Sequence, residues 1–241
     1  SALHAFGVDH ADLFAYRIKS LVADNEDPWP MVEQVLNDPA RLGAEWKPRL
    51  GPTLAKKYAA LSEERAGLLR LIARFDISND QAERFFVAEV RADEGITLSD
   101  RQILENPYLL YEADRPAAEP IPVRTVDRGV FPAPIVADEH PLPAPSAMTE
   151  AIDGRRVRAL LVSELEGRAA AGDTLASEAH LALGVRTAPL DPPCPVDADL
   201  LGRIKPHDLF GDLAVHRCDR LQNALALVAR LVAIAAFVGL M

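Results

Sequence analysis

Eight of the nineteen prolines fall between Pro116 and Pro145, and that density constrains the fold of this 241-residue chain more than any other feature. Proline removes a backbone donor, and its ring clashes with the preceding turn, so no continuous helix runs through the stretch. Residues 116–150 are therefore expected to be extended and loop-like, a Pro-rich connector between a domain over 1–115 and a second over 151–241. The connector carries Ile121, Val123, Val126, Val130, Phe131, Ile135 and Val136. Such residues predict packing along a surface, which a Ser/Gly linker would not do.

Composition sets the fold class on either side. Hydrophobic residues make up 49 % of the chain, enough for a real core and too many for a disordered protein. Aromatics are only 6 %, and the abundance of Ala, Leu, Arg and Glu suits helices better than a β-sandwich, so a mostly α protein is expected. Cys194 and Cys218 stand alone with no CxxC spacing, which supports neither a disulfide framework nor a zinc module and fits a reducing, cytoplasmic setting. The opening stretch from Ser1 already carries Asp9 and Asp12, so no secretory leader is read there. Ala224 to Met241 is apolar except for Arg230. It reads as a buried terminal helix, with a tail anchor as the alternative.

Start and stop signals outline the first domain. Asp9 is expected to cap a helix with Leu13, Phe14, Ile18 and Leu21 at helical spacing. Trp29-Pro30 leads into a second with Met31, Val32, Val35 and Leu36, closed at Asp38-Pro39. Ser62 opens a third whose apolar face is Leu68, Leu69, Leu71, Ile72 and Phe75. Ser78-x-x-Gln81 and Ser99-x-x-Gln102 are capping boxes ahead of Phe85-Phe86 and Ile103-Leu104. Asn106-Pro107 ends that last helix. In the second domain Asp153 caps a long helix with Gly172 beyond its end. Shorter helices follow around Ser177 to Leu183 and Val196 to Leu201, then a brief strand at Leu213 to Arg217, a winged-helix outline.

Catalytic motifs are missing. No GxxxxGK[ST], GxGxxG or GxSxG occurs, so no site for ATP or for an activated serine is read, and no enzyme activity or cofactor is expected on this chain. Only His216-x-Cys218 brings two metal-ligand types close together, short of the set that zinc needs. Cys194 lies between Pro193 and Pro195, where a rigid turn explains it.

The net charge of −10 argues against general adhesion to nucleic acid, so any phosphate contact must be local. One basic island stands out. It holds Arg41, Lys47, Arg49, Lys56, Lys57, Arg65, Arg70 and Arg74 around Trp46 and Tyr58, the cation and aromatic mixture that backbone tracking and base stacking use. Within it, Arg49 to Lys57 resembles a helix-hairpin-helix segment, with Gly51 as the turn glycine. Thr53 stands where the motif has its second glycine, and Pro52 removes a donor. The bland alternative is a solvated basic face balancing acidic neighbours. Arg155, Arg156 and Arg158 open the long helix of the second domain, where cations oppose the helix dipole, which favours an anionic partner.

Two stretches carry a family resemblance. Arg74-Phe75-Asp76-Ile77-Ser78 to Phe86, then Ile103-Leu104-Glu105-Asn106-Pro107-Tyr108-Leu109-Leu110-Tyr111-Glu112, resembles the N-terminal region of bacterial RecD-like superfamily-1 DNA helicases. Arg155 to Val162 with Gly172-Asp173-Thr174-Leu175 resembles the helical module ahead of the motor in that family. Membership implies a non-catalytic, pre-motor region of an ATP-dependent DNA helicase, with ATP and Mg held in a motor that this sequence does not contain. After Leu201 the sequence departs from the family pattern, which leaves either the front of such an enzyme or a stand-alone paralogue.

Two functions are expected from these readings. The first is sequence-indifferent binding to single-stranded or forked DNA, with Arg49, Gly51, Lys56, Lys57, Arg155, Arg156 and Arg158 on phosphates and Trp46 or Tyr58 on a base. The second is a protein-interaction module for a helicase motor or a nuclease. Neither needs a membrane or a metal.

Overall fold

The computed structural model describes residues 1–173 and 176–203. All its regular elements are helical. Contacts divide the chain into one unit from Ser1 to Met148 and a second beginning at Thr149.

The first unit holds α1 (Ala2–Phe6), α2 (Ala11–Lys19), α3 (Trp29–Asn37), α4 (Pro52–Ala59), α5 (Glu63–Ile72), α6 (Asn79–Phe86), α7 (Ala88–Asp93), α8 (Asp100–Glu105), α9 (Leu109–Asp114), α10 (Val123–Val130) and α11 (Pro134–Glu139). Local signals start many of them. The Ser62 hydroxyl accepts from the Arg65 amide at 3.2 Å, and both capping boxes form reciprocally, at Ser78 with Gln81 and at Ser99 with Gln102. The cap expected at Asp9 does not form. His10 takes the cap position of α2 in a left-handed conformation, φ 54°, and no side chain caps the first turn. Leu13 and Leu21, expected in the core, are exposed, while Phe14 and Ile18 are buried.

The centre of the first unit is built on α1, α5 and α6. Phe6 is fully buried, with Tyr58 and Phe86 edge-on at 5.8 and 6.3 Å between ring centroids. Gly7 ends α1 at φ 105°, a left-handed turn that suits glycine. Around this core, Arg65 and Arg91 converge on one oxygen of Asp100 at 3.0 and 2.8 Å, and the Arg65 guanidinium lies 4.1 Å from the Phe86 ring centroid. Paired cations of this kind are held rigidly inside the unit.

The Pro-rich stretch differs from the connector expected of it. Residues 116–148 belong to the first unit and carry α10 and α11, with Val123, Val126 and Val130 buried. The prolines are compatible with helix because of where they sit. Pro122 precedes α10, and Pro134 opens α11, where the missing amide would have had no helical partner anyway. Polar contacts fasten the stretch down. Asp114 is 1 % exposed and accepts from Arg84 at 2.7 and 2.9 Å and from the Ile121 amide at 2.7 Å. That hydrogen bond raises the Arg84 guanidinium above its ordinary pKa. The Tyr108 hydroxyl donates to the buried Asp127 carboxylate. Arg74 donates to the carbonyls of Gly129 and His140, and Ser146 donates to that of Leu104.

The second unit contains α12 (Gly154–Ala170), α13 (Glu178–Thr187) and α14 (Ala198–Arg203). Asp153 caps α12 by accepting from the Arg155 amide at 2.9 Å, and Gly172 follows its end at φ 95°. Ser177 caps α13. Val157, Leu160, Leu161, Leu181, Val185, Cys194 and Val196 form the core. The expected strand and hairpin at 213–217, the apolar run 224–241 and Thr174-Leu175 lie outside the described residues.

Candidate nucleic-acid interface

From residue 46 to residue 62 the chain has no carboxylate and four cations, Lys47, Arg49, Lys56 and Lys57. Structurally this run is the end of a 3-10 turn (Ala44–Trp46), a loop, α4 and the lead into α5. Another 3-10 turn, Pro39–Leu42, precedes it. Thus two turns separate α3 from α4, in place of the tight hairpin expected of a helix-hairpin-helix. Gly51 is the N-cap of α4 at φ −66° and ψ 162°, extended backbone that other residues adopt equally well. No Cβ placed there would touch anything within 4 Å, so its glycine character is not demanded by the fold.

The cations of the run separate into those whose side chains have no hydrogen bond or ion pair among the described residues and one that is bonded within the unit. Lys47, Arg49, Lys56 and Lys57 are all exposed. Among the described residues the side chains of Lys47 and Lys56 have no hydrogen bond or ion pair, and that of Arg49 has a stacking contact alone, its guanidinium 5.6 Å from the Trp46 ring centroid. Lys57 is different. Its ammonium donates to the Phe6 carbonyl at 2.8 Å and lies 5.0 Å from the Phe6 ring centroid. It caps the C-terminus of α1, where the helix dipole favours a cation.

Of the two expected aromatics, Trp46 presents no free face and Tyr58 is partly covered. Trp46 is 2 % exposed and packs against Phe14 at 5.7 Å. Tyr58 is half-buried, edge-on to Phe6. A buried indole cannot stack on a base without the core opening.

Other cations of the island are engaged too. Arg41 binds Gln34 at 3.0 Å, Arg70 lies over Trp29 at 5.9 Å, Arg65 pairs with Asp100, and Arg74 holds backbone carbonyls.

Arg155 and Arg156 of α12 are structural in the same way. Arg155 forms a two-point ion pair with its own cap residue, Asp153, at 2.9 and 2.8 Å. The bond from Arg155 holds the Asp153 carboxyl below its ordinary pKa. That pairing answers the apparent conflict between cations and the dipole at this helix start. Arg156 is fully buried, donating to the carbonyls of Ala151 at 2.9 Å and Pro192 at 2.6 Å. Arg158 is half-buried. Neither Arg155 nor Arg156 has its guanidinium turned out for a phosphate.

Of the residues expected at the interface, Arg49 and Lys56 are exposed without a side-chain hydrogen bond or ion pair among the described residues, Lys57 is exposed but bonded to Phe6, and Lys47 joins the first two. The sequence signal for Lys47 was its place in the acid-free run. Among the described residues no group of three or more His, Cys, Asp or Glu side chains is placed to hold a metal ion, and His216-x-Cys218 lies outside them. Among the same residues no helix is long and apolar enough to cross a membrane. Comparison of the chain with protein-family models, with curated proteins and with solved structures returns no match.

Proposed function

We propose that the first unit is a non-catalytic DNA-binding module that holds the phosphate backbone through Lys47, Arg49 and Lys56. The observation that carries the proposal is the acid-free run 46–62, in which these three cations are exposed and make no ion pair among the described residues. Phosphate contacts of this kind neutralise charge and release counterions without reading bases. The resemblance of 74–112 and 155–175 to the pre-motor region of RecD-like helicases supports an accessory role in such a system, with ATP and Mg handled by a motor elsewhere. Charge reversal tests the site. The double variant Arg49→Glu, Lys56→Glu is expected to lose about tenfold or more in affinity for labelled DNA at low salt while keeping its circular dichroism spectrum. Unchanged affinity in a folded variant would remove the site.

A second reading rests on a different surface. Leu13 and Tyr16 are 44 % and 70 % exposed one turn apart on α2, and Leu21 beyond it is 45 % exposed. Together with the net charge of −10, these favour a protein-interaction module for a helicase motor or nuclease. Leu13→Ser with Tyr16→Ser would then abolish partner binding and leave DNA affinity intact.

A further inference from the structure

We infer that the Lys47, Arg49 and Lys56 strip takes the phosphates of duplex DNA in preference to those of single strands, an inference that rests on the phosphate-binding reading above. Preference for single strands comes from stacking, because unpaired bases offer faces to aromatic side chains at about 1–3 kcal/mol per base. The strip has no fully exposed platform of this kind. Trp46 is 2 % exposed beneath Arg49, and Tyr58 is half-buried with its ring edge-on to Phe6. Without stacking, affinity follows the density of phosphate charge that three cations meet. Duplex DNA carries a charge every ~1.7 Å of axis, against ~3.4 Å along one strand. The duplex therefore presents more phosphates to the same three side chains.

One other aromatic ring bears on this choice. Tyr16 on α2 is 70 % exposed and is the one exposed aromatic among the described residues. Its neighbours along the helix include Asp12, Arg17 and Lys19. A base stacked on Tyr16 would give single strands an advantage that the strip does not supply, and substitution of this residue exposes that case directly.

The test is fluorescence anisotropy of the full chain with a labelled duplex of about two helical turns and with one of its strands alone, in wild type and in Tyr16→Ala, at about 50 and 200 mM salt. The expected result is duplex binding tighter by about twofold or more at the lower salt. With three phosphate contacts, the duplex affinity should fall about 40-fold between the two salts and the single-strand affinity about 20-fold. Tyr16→Ala should leave both unchanged. Equal or tighter binding to the single strand, or a loss of single-strand binding in Tyr16→Ala, overturns the duplex preference and leaves the phosphate-binding reading standing. No binding to either DNA overturns both.

Discussion

The Lys57 ammonium donates to the Phe6 carbonyl oxygen at 2.8 Å, tying α4 to the end of α1 across fifty-one positions of sequence. Its neighbour Lys56 is exposed and makes no such bond. Two adjacent lysines of the same run thus have opposite uses, one in stability and one in the proposed interface. Lys57→Ala should lower the stability of the first unit by about 1 kcal/mol, the size of a hydrogen bond from a charged donor discounted for its exposure. Lys56→Ala should leave thermal unfolding unchanged and weaken DNA binding. Parallel melting and anisotropy curves on the two variants check this, and the reverse pattern would contradict it.

Trp46 should behave as a core residue. In a Trp29→Phe background it is the remaining tryptophan, and its emission should resist iodide quenching and stay unchanged when DNA is added. Trp46→Ala should cost about 3–5 kcal/mol, the range for removing a large buried aromatic side chain. Quenching of that emission by DNA would show the indole stacking on a base after all.

The bond network at Asp114 should be a main fastening of the Pro-rich stretch. Asp114→Ala leaves the Arg84 charge without its carboxylate and the Ile121 amide without an acceptor, and should destabilise the first unit by about 3–5 kcal/mol. Limited proteolysis should then cut first within 116–148. An unchanged proteolysis pattern would mean that the apolar contacts of α10 hold the stretch without it.

The cap of α12 predicts an acid dependence of known sign. Arg155 holds the folded-state pKa of Asp153 below its ordinary value of 3.8. The ionised carboxylate is therefore favoured by folding, and its contribution is complete above that ordinary value and lost as pH falls through the lower folded-state value. Asp153→Asn should flatten this part of the acid unfolding profile while retaining an acceptor for the helix start. Helix-specific NMR signals of α12 followed from neutral to acid pH measure it.

Two glycines should respond to alanine to different extents. At Gly129 a Cβ would lie 2.3 Å from the Phe75 ring, which is buried, so Gly129→Ala should cost about 1–3 kcal/mol through overpacking. Gly51→Ala meets no atom within 4 Å and loses only the preference for glycine over alanine at an N-cap, so it should cost no more than about 1 kcal/mol. Urea titration of both variants separates the glycine that packing requires from the one that the motif resemblance singled out.

The legible part of the fold was the part encoded within one helical turn. Ser62, Ser78 with Gln81, Ser99 with Gln102, and Asp153 each act on an amide two or three positions away, so their signals survive without knowledge of the rest of the chain. The helices of 116–148 were not legible because their support is distant. Arg74 reaches His140 across sixty-six positions and Tyr108 reaches Asp127 across nineteen. Composition located the basic run but could not sort its members. Whether a lysine is left without a partner or caps another helix depends on Phe6, fifty-one positions from Lys57.

The most direct test of the phosphate-binding account is the slope of log affinity against log salt for the intact chain on duplex DNA. Three contacts through Lys47, Arg49 and Lys56 give a slope of about −2.7, falling in size to about −0.9 in the Arg49→Ala, Lys56→Ala double variant. Affinity that does not change with salt, or a slope that the double variant leaves in place, would contradict the account.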